Sequence, residues 1–171
     1  IGLLHRQDRW VNETSICIEG TFMNTPNLTL MGYIWPAHSS ATYWLRALVL
    51  AVAGSLLVAA AAQVQVPMLP VPMTLQTLAV LAIGGAYGAR LGAATLALYV
   101  AEGAVGLPVY AGFKGGLAIL MGPTGGYLLG FILAAAVVGY LAQKAWDRNA
   151  FTTFAAMLIG AAVIYVPGLA W

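Results

Sequence analysis

Charge is what this sequence has least of. Its 171 residues include seven Lys and Arg and five Asp and Glu, so that 7% are charged, against roughly 25% in an ordinary soluble domain. Five of these, Arg6, Asp8, Arg9, Glu13 and Glu19, precede residue 41, and only seven are spread over the rest. A water-solvated globule is excluded. The net charge of +2 is too small and too scattered for the clustered basic face that nucleic acid requires, so no nucleic-acid partner is expected. Cysteine is nearly absent: Cys17 stands alone, with only His5 and His38 as further soft ligands. An internal disulfide, a structural zinc site and any other metal site are therefore not expected. Acid pairs are missing too, because Glu102 is the sole carboxylate between Ala41 and Gln143. No G-x-x-x-x-G-K-[ST] loop, Gly-x-Ser-x-Gly elbow or His-Glu-x-x-His helix occurs. The chain is not expected to be an enzyme, and any ATP hydrolysis must come from another subunit.

What is present is apolar: 61% of residues are hydrophobic and the mean hydropathy is +0.88. Residues 1–40 read as a polar tail without the regions of a secretory signal. Asn12-Glu13-Thr14 and Asn27-Leu28-Thr29 match the glycosylation triplet, but a tail on the cytoplasmic side does not meet that enzyme. Met31 is a candidate native start, which would make the residues before it non-native. Residues 41–171 form the membrane domain, an all-α integral membrane protein built as a compact transmembrane helix bundle. Five apolar segments are expected, at about 41–64, 74–87, 91–105, 127–143 and 151–171. The first and last reach the roughly 20 residues a spanning helix needs. Pro67, Pro70 and Pro72 stop the first, because a helix interior does not tolerate them. The second and third hinge at Gly88-Ala89-Arg90, and a glycine-rich connection at 106–126 precedes the fourth.

If the chain crosses at every segment, Arg46, Arg90, Lys144 and Arg148 share one side. Lysine and arginine accumulate on the cytoplasmic side, so the tail is expected there. The opposite side carries the proline-rich first loop, the glycine-rich loop and one cation, Lys114. Small residues recur at four-residue spacing, an arrangement that lets helix backbones approach closely in lipid. Ala47, Ala51, Ser55 and Ala59 line the first helix, Gly126, Gly130 and Ala134 the fourth, and Gly84, Gly88 and Gly92 the hinge. Internal packing and an external partner helix both fit the first of these ladders. Glu102 and Lys114 are site candidates, because a charge near hydrocarbon usually faces a cavity or a partner. The plainer readings are a wet helix end for Glu102 and a solvated loop cation for Lys114.

Four stretches then become recognisable: Val71-Pro72-Met73-Thr74-Leu75-Gln76-Thr77-Leu78, Gly106-Leu107-Pro108-Val109-Tyr110-Ala111-Gly112, Gly115-Gly116-Leu117, and Gly122-Pro123-Thr124-Gly125-Gly126-Tyr127-Leu128-Leu129-Gly130-Phe131. In this order and spacing they closely resemble the BioY family, the biotin-specific S components of energy-coupling-factor (ECF) transporters. The resemblance implies a six-helix bundle in a bacterial plasma membrane that holds biotin beneath the loops after the first and third helices. Biotin is then a transported ligand, and no cofactor is implied. It also implies partners: a transmembrane coupling subunit, against which Ala47 and Ala51 would dock, and two cytosolic ATPases. Biotin asks for hydrogen bonds to its urea, an apolar or aromatic wall, and a cation for its carboxylate. The candidates are Thr74 and Gln76 with the backbone of Gly112, Phe113, Lys114, Gly115 and Gly116 for polar contacts, Phe113 and Tyr127 for aromatic surface, and Lys114 for the carboxylate. Family members continue into a sixth helix with a Gly-Asp-x-x-Lys pattern, so five of six spans are expected here. The alternative reading is a stand-alone ion-coupled or passive permease for a small carboxylate, with Glu102 titrating; a purely structural packing subunit is a further rival.

Overall fold

The computed structural model describes residues 40–66 and 73–171. The expectations that rest on the tail, including Cys17, both histidines, the two asparagine triplets and Met31, lie outside the described residues, as do Pro67, Pro70 and Pro72. Helix α1, Ser40–Gln63, leads into a two-stranded antiparallel pair, β1 (Gln65–Val66) and β2 (Met73–Thr74), with Gln65 opposite Thr74. Next come α2 (Gln76–Ala104), the one-turn α3 (Leu117–Leu120), α4 (Gly125–Gln143), a short 3-10 turn at Trp146–Arg148, and α5 (Ala150–Ala170). Among the described residues, four helices are long and apolar enough to cross a membrane: α1, α2, α4 and α5. The fold is thus an all-helical membrane bundle.

Helix α2 is two arms joined at one residue. Gly88 has φ 81 and ψ 174, a backbone region that glycine enters without the clash a Cβ would bring. In a straight helix Gln76 and Tyr99 would lie roughly 35 Å apart at 1.5 Å per residue, yet Gln76 Nε2 donates to Tyr99 Oη over 2.7 Å. A Cβ on Gly92 would sit 3.2 Å from Gly84 Cα. Residues 76–87 and 89–104 therefore run antiparallel, and the chain traverses the bundle five times. The hinge expected over 88–90 is confined to Gly88.

Helix α4 is the axis of the bundle: 56% of its apolar window is buried, against 33% for α1 and 17% for α5. Its glycines let other backbones touch it. A Cβ on Gly84 of α2 would meet the Ala135 carbonyl oxygen at 2.9 Å, one on Gly139 would collide with the backbone of Gly88 and Ala89, and one on Gly130 would lie 2.8 Å from the Ile164 carbonyl oxygen of α5. The Gly84, Gly92 and Gly130 ladders thus serve internal packing. Val80, Leu96, Tyr99, Phe131, Val138 and Ile164 fill the space between.

On α1 the inward stripe is Leu50, Gly54, Ser55, Val58 and Ala62, all buried. Ala47 and Ala51 are half-buried at its border, whereas Trp44, Leu48, Val52 and Leu56 face outward. Gly139 against the hinge puts Gly88 and the 3-10 turn at one end of the bundle. The end of α1, β2, the start of α2, the 105–124 loop and the start of α4 gather at the other.

Candidate ligand-binding site

At that second end the backbone is bent by residues that tolerate positive φ. Gly106 (φ 106), Gly112 (φ 70) and Gly116 (φ 101) do so at little cost, and Phe113 (φ 55) joins them. The loop closes on itself where the Tyr110 N–H donates to the Lys114 carbonyl over 2.9 Å, and on α2 where the Gly116 N–H donates to the Gly103 carbonyl over 2.7 Å. Tyr110 is buried against Gly103, where any Cβ would overlap its ring, and its hydroxyl donates to the Val100 carbonyl at 2.9 Å. Burial pushes this phenol above its ordinary pKa. The last residue of α1 straps the loop from the other side: Gln63 Nε2 donates to the Tyr110 carbonyl (3.2 Å) and Gln63 Oε1 accepts from the Phe113 N–H (3.2 Å).

Two cavities adjoin beneath this loop. The larger, about 460 Å³, is walled by Leu78, Leu81, Leu128, Phe131 and Ile164 and edged by Thr74, Gln76, Thr77, Thr124, Tyr127 and Tyr165. Tyr127 and Tyr165 meet edge to face, 6.0 Å between centroids. The smaller, about 310 Å³, runs past Tyr110, Ile119 and Pro123 to Lys114. Gln76, Ala111, Thr124 and Leu128 belong to both. Together they form an apolar concavity with a few convergent polar groups, the usual character of a small-molecule site.

The polar side chains are held in place. Thr74 Oγ1 donates to Gln76 Oε1 (3.1 Å), Gln76 Nε2 to Tyr99 Oη (2.7 Å), and Tyr99 Oη to the Val109 carbonyl (3.0 Å). Thr124 Oγ1 donates to the Ile119 carbonyl (3.0 Å), leaving its lone pairs to the cavities. Lys114 is exposed at the mouth of the smaller cavity and has no carboxylate partner among the described residues. Glu102 stands apart from both cavities, half-buried, 3.1 Å from the Ser55 hydroxyl of α1. No group of three or more His, Cys, Asp or Glu that could hold a metal occurs among the described residues.

Of the residues anticipated from sequence, Thr74, Gln76, Tyr127 and Lys114 line these cavities. Gly112, Phe113, Gly115 and Gly116 do not: they shape the loop above, and the Phe113 ring is 71% exposed. A Cβ on Gly115 would collide with the Leu107 carbonyl, so this glycine serves a close backbone approach. Sequence reasoning missed Thr77, Thr124, Phe131, Tyr165, Gln63 and Tyr99. Thr77, Thr124 and Phe131 sit inside the motifs already singled out, which was the available signal. Gln63 and Tyr99 carried none beyond being hydrogen-bonding groups in apolar helices.

The described residues thus form a helical membrane bundle with two adjoining cavities at one end. The family model described as "BioY family" matches residues 27–171; the chain belongs to the BioY family. It is 44% identical over 114 residues to the biotin transporter BioY of Thermotoga maritima, covering 66% of each chain. It is 39% identical over 110 residues to the probable biotin transporter BioY of Pyrococcus horikoshii, covering 64% of each. The matched stretch is thus a little under two thirds of those relatives' length. Among solved structures, the crystal structure of the S-component for biotin from an ECF-type ABC transporter superposes with a TM-score of 0.69 at 23% identity, covering 79% of this chain and 75% of that one. That likeness establishes the all-helical fold. The relatives are named as transporters, not enzymes.

Proposed function

We propose that this chain captures biotin in the paired cavities and serves its uptake across the cytoplasmic membrane as the substrate-binding subunit of an ECF-type transporter. The observation that carries this reading is the shape and chemistry of the two joined cavities: an apolar chamber edged by hydroxyl and amide groups, continuing to the Lys114 ammonium, which has no carboxylate partner among the described residues. Biotin has the same sequence of parts, a urea fused to a thioether ring, an aliphatic chain and a terminal carboxylate. Gln76 and Thr74 would address the urea, Tyr127 and Phe131 the rings, and Lys114 the carboxylate, a charge-assisted contact. Gly112, Phe113, Gly115 and Gly116 would hold the loop that closes over the ligand.

In this reading Ala47 and Ala51, half-buried at the border of α1, meet a transmembrane coupling subunit, and two cytosolic ATPases drive the cycle. The bundle end that bears Gly88, Arg90 and Lys144 faces the cytoplasm with the amino terminus, in keeping with the placement of basic residues. The deciding experiment is calorimetry of biotin against the purified protein in detergent. Saturable heat with thermal stabilisation is expected. Absence of both would sink the reading in favour of a packing subunit.

A further inference from the structure

Gln76 is 6% exposed, belongs to the wall of both cavities, and has an amide that could point either way. Its direction is decided by a residue that touches neither cavity. Tyr99 is fully buried on the second arm of α2, and its hydroxyl has one proton and two neighbours. One neighbour, the Val109 carbonyl at 3.0 Å, can only accept. The proton is therefore committed to Val109, and Tyr99 Oη can only accept from Gln76 at 2.7 Å. That requires the NH2 end of Gln76 to face Tyr99 and its oxygen to face Thr74, whose hydroxyl donates to it at 3.1 Å. A primary amide has two N–H donors and two lone pairs. One N–H and one lone pair of Gln76 thus have no protein partner among the described residues, and Gln76 lines both cavities.

We propose that Tyr99 is a positioning residue that sets the polarity of the Gln76 amide, and through it the site's preference for a cyclic urea over an analogue with a donor in place of the urea carbonyl. The inference rests on the biotin reading above and deepens it. With Tyr99 in place, the free N–H of Gln76 meets an acceptor, the urea oxygen. An analogue that carries an imino N–H there sets donor against donor, a mismatch that buried sites discriminate strongly because both groups stay unpaired. Tyr99 also ties this selection to the loop, since Val109 lies on the segment that covers the cavities.

The test compares three ligands, biotin, 2-iminobiotin and dethiobiotin, by calorimetry on the wild-type protein and on Tyr99→Phe. The first exchanges needed are clear: 2-iminobiotin replaces the urea carbonyl by an imino group, and dethiobiotin keeps the urea but lacks the sulfur. In Tyr99→Phe the preference for biotin over 2-iminobiotin should fall by about tenfold or more, the scale of one fixed hydrogen bond, while the ratio of biotin to dethiobiotin holds. General loosening of the bundle would weaken all three ligands alike and leave both ratios intact, and that result overturns the assignment. Gln76→Met, which neither donates nor accepts through an amide, should lose the same discrimination. If it retains the wild-type ratio the assignment also fails, and this arm stands even where Tyr99→Phe does not fold. A wild-type protein that binds no biotin removes the functional reading itself, a different outcome from binding with an unchanged ratio.

Discussion

The two ends of the bundle use the same residue type in different balance. At the hinge end, Gly84, Gly92 and Gly139 are helical or helix-adjacent and buried, and what their missing Cβ allows is contact between main chains: Gly139 against Gly88 and Ala89, Gly84 against Ala135. At the cavity end, Gly106, Gly112 and Gly116 lie in a loop with positive φ, and a Cβ on Gly106 or Gly116 would meet nothing within 4 Å. There the glycines bend the chain so that polar side chains can be strapped around a hollow. Close approach dominates the first end, where Gly88 alone of the glycines has positive φ, and conformational freedom marks the second, where Gly115 is the close approach. Stability should therefore be concentrated at the first and ligand affinity at the second.

That division can be broken or sharpened by substitution. The largest effect is expected for Gly139→Val, whose side chain collides with the hinge backbone; overpacking of this kind costs about 3 kcal/mol or more where backbone must move. Thermal unfolding in detergent should show a loss of folded protein, and a variant as stable as wild type would show the hinge to be less tightly packed than its geometry indicates. At the other end, Lys114→Ala should lower biotin affinity roughly tenfold, the scale of a charge-assisted contact partly open to water, with little change in melting temperature. Biotin methyl ester should bind both proteins equally; unchanged affinity for biotin would remove Lys114 from the site. A smaller effect is expected for Gln63→Ala, which unstraps the loop from α1. Affinity should fall several-fold, as for about one net hydrogen bond, and hydrogen exchange at the Phe113 amide should quicken. The smallest belongs to Gly85→Ala. Gly85 neighbours the critical Gly84 in sequence, yet its Cβ would meet nothing within 4 Å, so stability should hold or rise slightly with the gain in helix propensity.

Much of this layout was legible in the residues alone, for identifiable reasons. Long apolar runs have few solutions in a bilayer, so the helices at Ser40–Gln63, Gly125–Gln143 and Ala150–Ala170 fall within a few residues of their expected bounds. The break at Gly88 was visible because it follows Gly84-Gly85 and precedes Arg90 in an otherwise continuous helix pattern. Thr74, Gln76, Tyr127 and Lys114 were found at the cavities because motif and charge drew attention to them. The turn α3 and the Tyr110–Lys114 bridge were hidden in a stretch that read only as glycine-rich connection. Tyr99 and Gln63 were hidden more deeply, since each acts through partners 10 to 50 positions away, and no local pattern reports such a pairing. Phe113 was singled out as an aromatic beside a lone cation, and its ring lies 71% exposed in the loop above the cavities.

The single-residue joint at Gly88 also bears on how the bundle holds together in lipid. Neither arm of α2, residues 76–87 or 89–104, reaches the roughly 20 apolar residues that partition into a bilayer unaided. In a bilayer each arm therefore depends on the other and on the helices packed around it, with Arg90 two residues past the joint. Because nothing separates the arms except one glycine, closing them costs almost no loop entropy. The two arms are accordingly one packing unit, held to each other at Gly84 and Gly92 and to α4 at Ala135 and Gly139.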